Sequence, residues 1–388
     1  MTDPMSLVRT VCRSVPRAAL LMTAMTPYVA RPHLAQAQAV KATASAKATP
    51  SARAAPAATR YVAPRTPDGH PDLQGNWTNA SLTPLERPAG LPRALSKAQA
   101  AALEQRRADT VETGAKASDP NRSAPPVGGD GSPGAFGNVG GYNYVWIDAG
   151  DHVAFLNGEL RSSFIVDPVN GRLPALTPAA RAWGQQRAAR NRQFGQYDNP
   201  ENRPLAERCI MSFGSNAGPP MLPNGFYNNN YTIVQTNHHV MIMTEMVHDV
   251  RIIKLGKPTP RSSAVRPWMG ESWGRWDGDT LVVETTNFYP SQELSQSVGL
   301  GGAWGANDSL RVVEKFTRTR DNVIFYRFTV HDPLNFTAPW SGELPMIAMD
   351  EQIYEYACHE GNYALSNVLS GARAMEREAA AKKPKPPE

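Results

Sequence analysis

Trp273-Gly274-Arg275-Trp276-Asp277-Gly278-Asp279-Thr280-Leu281-Val282-Val283-Glu284-Thr285-Thr286 is the stretch on which the fold reading turns. Aromatic and β-branched residues crowd both sides of Asp277-Gly278-Asp279, whose turn chemistry joins strands over 273–276 and 280–286. The same pattern recurs outward. Segments 310–318 and 323–330 flank Arg320-Asp321-Asn322, and segments 231–236 and 239–246 meet at Asn237-His238. A first strand is expected at Leu73-Gln74-Gly75-Asn76-Trp77-Thr78, after the turn Thr66-Pro67-Asp68-Gly69, and a last one over 352–359. Three helices sit between and after these strands. One starts at Ser96 with Gln99 completing a capping box, one at Thr177 with Pro178 in first position, and one runs from Tyr363 to about Lys382. The second carries Arg181, Arg187, Arg190 and Arg192. No internal repeat of fixed period is visible, which argues against a solenoid or propeller. The expected class is mainly β, a β-rich α+β chain: an antiparallel sheet that curls or closes into a calycin/lipocalin-like barrel with peripheral helices.

The ends read differently from this core. Arg9, Arg13 and Arg17 precede a mostly apolar run over 18–30, and Ala35-Gln36-Ala37 supplies small residues for cleavage, the layout of a secretory signal over 1–39. Pro27, Arg31 and His33 leave that run short of the roughly 18 residues a membrane span needs. Residues 40–65 form an Ala/Pro/Lys-rich spacer that cannot bury enough apolar surface to offset ordering. One domain is expected over 66–373, with a Gly/Pro-rich mobile loop over 114–141 that could serve as a lid, and a helix end and tail over 374–388.

Charge and cysteine usage fit export. The formal charge of +5 falls to +2 without the four Arg and one Asp of 1–39, and to −3 without the five Lys/Arg of 40–65. The basicity lies in the leader, so a nucleic-acid partner has no support. Cys12 precedes the apolar run and is not placed as a lipoprotein cysteine. Cys209 and Cys358 then remain, a pair consistent with one disulfide or with two separate thiols.

Two resemblances add to this. Gly75-Asn76-Trp77 resembles the G-x-W of the first lipocalin strand. The runs Pro71-Asp72-Leu73-Gln74-Gly75-Asn76-Trp77-Thr78-Asn79, Trp268-Met269-Gly270-Glu271-Ser272 and Tyr354-Glu355-Tyr356-Ala357-Cys358-His359-Glu360-Gly361-Asn362 resemble landmarks of a large group of exported bacterial proteins without an assigned reaction. That likeness covers roughly residues 66–373 and implies export and one continuous domain. It transfers no catalytic residue.

Chemistry is therefore read from residue types. Glu245, His248, Asp249 and Arg251 put four ionisable groups within seven residues beside an apolar strand. On an unbroken strand Glu245, Asp249 and Arg251 would share one face and His248 the other. A desolvated carboxylate or imidazole could move a proton, with Arg251 stabilising negative charge. Glu355 and His359 flank Cys358 on a second expected strand, where Glu355 could orient the imidazole. No H-E-x-x-H, C-x-x-C, acidic calcium loop or P-loop is present. A metal reading rests only on a site assembled from His248, Asp249 and His359, and no organic cofactor is expected. Asn228-Asn229-Asn230 between Tyr227 and Tyr231 allows a sugar contact, but reads more simply as a polar turn.

The expected function is a periplasmic or secreted enzyme, a lyase, isomerase or hydrolase, using acid-base chemistry on a moderately apolar small molecule. The alternative is a non-catalytic protein holding a hydrophobic ligand in the barrel cavity; a third class is a cell-envelope interaction module. Substrate and oligomeric state are not legible in the residues.

Overall fold

The structure, a computed structural model, describes residues 61–114, 148–212, 216–225, 228–259, 262, 264–290 and 307–382. The expected signal, most of the spacer, nearly all of the Gly/Pro-rich loop and the last residues of the tail lie outside them. Among the described residues there are thirteen strands: β1 Gly75–Thr78, β2 Ala94–Leu95, β3 Phe155–Leu156, β4 Glu159–Arg161, β5 Ile165–Asp167, β6 Asn230–Gln235, β7 His239–Thr244, β8 Val250–Leu255, β9 Glu271–Asp277, β10 Thr280–Thr286, β11 Arg311–Arg320, β12 Val323–His331 and β13 Trp340–Met349. Three α-helices accompany them: α1 Lys97–Gly114, α2 Pro178–Gln193 and α3 Ala364–Ala381.

Nine strands close a barrel in the order β1-β6-β7-β8-β9-β10-β11-β12-β13, with β13 returning to β1. The edge of β13 is divided: Ser341 and Gly342 meet β5, while Ile347, Ala348 and Met349 meet β1. The barrel is mixed. Strands β8 and β9 are parallel, so β9 sets out from the same end of the barrel as β8. The all-antiparallel expectation is corrected at this one pairing, and an eight-stranded lipocalin barrel has neither the ninth strand nor the parallel pair. Gly270 closes the crossover at φ +71, where a Cβ would meet the Thr286 carbonyl oxygen at 2.7 Å.

Period-two alternation fills the interior. Val312, Glu314 and Phe316 of β11 point inward, as do Ile324, Tyr326, Phe328 and Val330 of β12, all at most 1% exposed. Each fully buried apolar side chain of this size contributes about 1.5–3 kcal/mol. Phe316 and Tyr326 pack at 4.9 Å, and Phe328 meets Trp340 edge-on at 5.4 Å. Trp77 closes one end, its Nε1 donating to the Leu73 carbonyl at 3.0 Å. Long connections gather at the other end, where residues 216–224 cover the barrel mouth with Asn216, Met221 and Leu222 almost wholly buried.

The three hairpins stand where the turn chemistry puts them. The capping box of α1 forms, with Ser96 N–H donating to Gln99 Oε1 at 2.9 Å and Gln99 N–H to Ser96 Oγ at 3.2 Å. Thr177 caps α2 by accepting from Ala180 N–H at 3.0 Å. The expected strand over 352–359 is corrected: those residues run as an irregular segment outside the barrel. Pairing of β13 with both β5 and β1 uses the edge that such a strand would have needed.

Candidate functional site

The site grows from the β7–β8 turn. Thr244 N–H donates to the Asp249 carbonyl at 2.8 Å and His248 N–H to the Glu245 carbonyl at 3.1 Å, winding Met246–His248 into one 3-10 turn. Val247 and His248 take left-handed backbone angles, φ 60 and 48. A β-branched residue there is strained, at a cost of about 1–2 kcal/mol, and is held because Met246 and Val247 are buried. The turn breaks the continuous strand that would have aligned Glu245 with Asp249 and Arg251, and gives each acid its own surroundings.

Asp249 is the perturbed one. Its carboxyl sits at the barrel rim, where Oδ2 accepts Ser212 N–H at 3.2 Å. Burial pushes it up to about 6, against the smaller opposing pulls of the Ser212 N–H and of His248. Ser212 Oγ, buried beside it, has no hydrogen-bond partner among the described residues. His248 is exposed, and its Nδ1 lies 3.1 Å from the Tyr356 carbonyl. A carbonyl can only accept, so Nδ1 donates to it and Nε2 is left for other partners.

Glu245 is 6% exposed and works as an anchor. Asn230 Nδ2 donates to Oε2 at 2.8 Å and Tyr354 N–H to Oε1 at 3.4 Å. Segment 354–358 is thus tied to the turn twice, and a third tie is covalent: Cys209 and Cys358 form a disulfide, with 5.7 Å between Cα atoms. Beside it opens a cleft of about 670 Å³, lined by Ala206, Glu207, Glu355, Tyr356, Cys358 and Asn362 among others.

Arg251 stands apart. It is two residues beyond Asp249, but the alternation of β8 turns it into the barrel, 3% exposed. Its Nη2 donates to Glu314 Oε1 at 3.0 Å and its Nη1 to Glu314 Oε2, while Tyr326 Oη donates to Glu314 Oε1 at 2.8 Å and accepts Met221 N–H at 2.9 Å. Burial works against the Arg251 charge, yet the adjoining Glu314 carboxylate holds it above its ordinary range. Burial and the same carboxylate raise Tyr326 well above a usual phenol. Tyr231 joins from β6, donating to the Asn216 carbonyl at 2.9 Å and accepting from Asn79 Nδ2 at 3.1 Å.

Of the residues singled out in the sequence, Glu245, His248 and Asp249 come together with the segment that precedes Cys358. Glu355 and His359 do not join them as a pair: both are exposed on an irregular segment, and no hydrogen bond links them among the described residues. His248, Asp249 and His359 form no group able to hold a metal ion among the described residues. Two of the Asn triplet are spent internally, Asn229 fully buried against Asn224 and Asp148 and Asn230 on Glu245, and Tyr231 points inward; Tyr227 lies outside the described residues. Ser212 and Glu314 escaped sequence reasoning. Glu314 had a signal, a carboxylate in the apolar slots between Val312 and Phe316; Ser212 had none. Among the described residues no helix is long and apolar enough to cross a membrane. Comparison with protein-family models, with curated proteins and with solved structures finds no match to this chain.

Proposed function

We propose that this is an exported enzyme, a lyase, isomerase or hydrolase acting on a moderately apolar small molecule, in which Asp249 and His248 exchange protons with the substrate. The observation that carries the reading is Asp249, a carboxyl raised to about 6 by burial at a rim it shares with His248 and with the Ser212 hydroxyl, which has no partner among the described residues. A carboxylate tuned near neutrality is ionised enough to take a proton and basic enough to hold it. His248, fixed through Nδ1, presents Nε2 for the complementary transfer. Ser212 is placed to hydrogen-bond a developing negative charge, the part that Arg251, spent on Glu314, does not play. Glu245 and the disulfide position the segment that orients His248.

Export rests on the 1–39 leader, the likeness to exported bacterial proteins and the disulfide. The calycin-like alternative, a hydrophobic ligand inside the barrel, would need space now filled by Tyr231, Phe316, Tyr326 and Phe328.

The test is turnover of a panel of small esters, lactones, epoxides and enolisable ketones, followed by mass spectrometry. The wild-type chain is expected to convert at least one compound, with Asp249→Asn slowing it by roughly 10²–10⁴-fold and His248→Ala by a similar factor. Folded Asp249→Asn and His248→Ala chains that keep full turnover would overturn the assignment.

A further inference from the structure

Outward positions of a barrel are normally solvated and mixed in charge, and the wall formed by β9, β10 and β11 departs from this. Val282 points outward from β10, since Leu281 and Val283 face the core, yet it is only 6% exposed. Its neighbours in register are Arg275 on β9 and Lys315 on β11, so one apolar side chain lies between two cations. One row further, Trp273, Glu284 and Val313 face outward together, and Lys254 of β8 sits over the Trp273 ring at 4.8 Å. Together with Gly256 and Pro258 of the crossover, the Arg275-Val282-Lys315 and Trp273-Glu284-Val313 rows line a groove of about 530 Å³.

The charges of the groove do not balance. Its single carboxylate, Glu284, is already taken by Arg311 at 3.0 Å. Among the described residues Arg275, Lys315 and Lys254 have no carboxylate partner. Lys315 moreover stands directly opposite Arg327 of β12, a like-charge pairing across strands that costs stability. A floor of Val282, Val313 and Trp273 under two unneutralised cations matches a molecule with an apolar body and one anionic head.

We propose that this outer wall binds a small amphiphilic carboxylate, its head between Arg275 and Lys315 and its acyl or aryl body along Val282, Val313 and Trp273. The site is separate from the Asp249 rim and stands or falls independently of the catalytic reading. The probe is octanoate, titrated calorimetrically into the full chain, with octan-1-ol and inorganic phosphate as partners that keep only the body or only the charge. Octanoate is expected to bind saturably, one per chain, and each control at least about tenfold more weakly. An Arg275→Gln/Lys315→Gln double variant, altered only at exposed side chains, is expected to lose at least about tenfold in octanoate affinity with its circular dichroism unchanged. Absence of saturable octanoate binding, undiminished affinity in the double variant, or phosphate binding as tightly as octanoate would each overturn the proposal.

Discussion

Two places in this molecule take charge out of water, one at the turn before β8 and one two residues on inside the barrel, and they do it in opposite ways. Inside the barrel, Arg251 and Glu314 meet through two hydrogen bonds, and Tyr326 adds a third to the same carboxylate. At the rim, Asp249 has one backbone N–H and an exposed imidazole nearby. The Glu314 carboxylate holds the Arg251 charge against burial, whereas scant pairing lets burial dominate and moves Asp249 up to about 6. The difference is one of partners: the inner charges are met by protein groups that join strands, whereas the rim carboxyl, with few such partners, is the one we propose for proton transfer.

The comparison breaks most visibly at the inner pair. Glu314→Ala leaves the Arg251 guanidinium buried and alone, and is expected to cost about 3–5 kcal/mol in denaturant unfolding. An Arg251→Met/Glu314→Leu double variant, which removes both charges, should unfold within about 1 kcal/mol of wild type or above it. Equal losses in the single and double variants would show that packing, and not charge, sets the cost.

The staple beside the rim comes next. Cys209→Ala/Cys358→Ala is expected to lower stability by about 2–5 kcal/mol in denaturant unfolding of the oxidised and disulfide-free chains. Because the same bond holds the segment that contacts His248 and Glu245, turnover should fall in this variant even at temperatures where it is fully folded.

The rim itself shows in the pH dependence of stability. The folded pKa of Asp249, about 6, lies above the roughly 3.9 of an unfolded Asp, so the folded state binds more protons between those values. Its contribution is therefore present in full below about pH 4 and lost as pH rises through about 6, a fall of about 2–3 kcal/mol. Asp249→Asn should flatten that part of the profile in urea unfolding from pH 4 to 8, and raise stability at neutral pH. A slope unchanged by the substitution would place the titration elsewhere. The smallest effect is expected at Ser212→Ala: loss of an unpartnered buried hydroxyl should change stability by less than about 1 kcal/mol while reducing turnover.

Local rules were legible where local chemistry decides. The Asp277-Gly278-Asp279 turn, the Ser96/Gln99 box and the Thr177-Pro178 helix start each appear as read. They failed where pairing partners decide. The long strand β13 carries Gly342 and Pro345 in its middle, residues that weaken a strand reading, and it forms because β12, β5 and β1 all pair with it. A Cβ at Gly342 would lie 2.4 Å from the Phe328 ring, so the glycine is there to admit an aromatic from the neighbouring strand. Segment 352–359 alternates like a strand and is none, since the closed barrel offers it no edge.

For the site, composition located the ionisable cluster and could not sort it. Residue order alone determined that Glu245, His248, Asp249 and Arg251 would lie close together, that Cys209 and Cys358 could pair, and that hairpins would build a β-rich core. Only the tertiary structure decided that a strained turn at Val247 and His248 separates Glu245 from Asp249, that Arg251 faces a distant Glu314, and that Ser212 comes to the rim. The physical reason is that a side chain's chemistry depends on its hydration and its partners. Both are set by strands tens of residues away, which alternation along one strand does not encode.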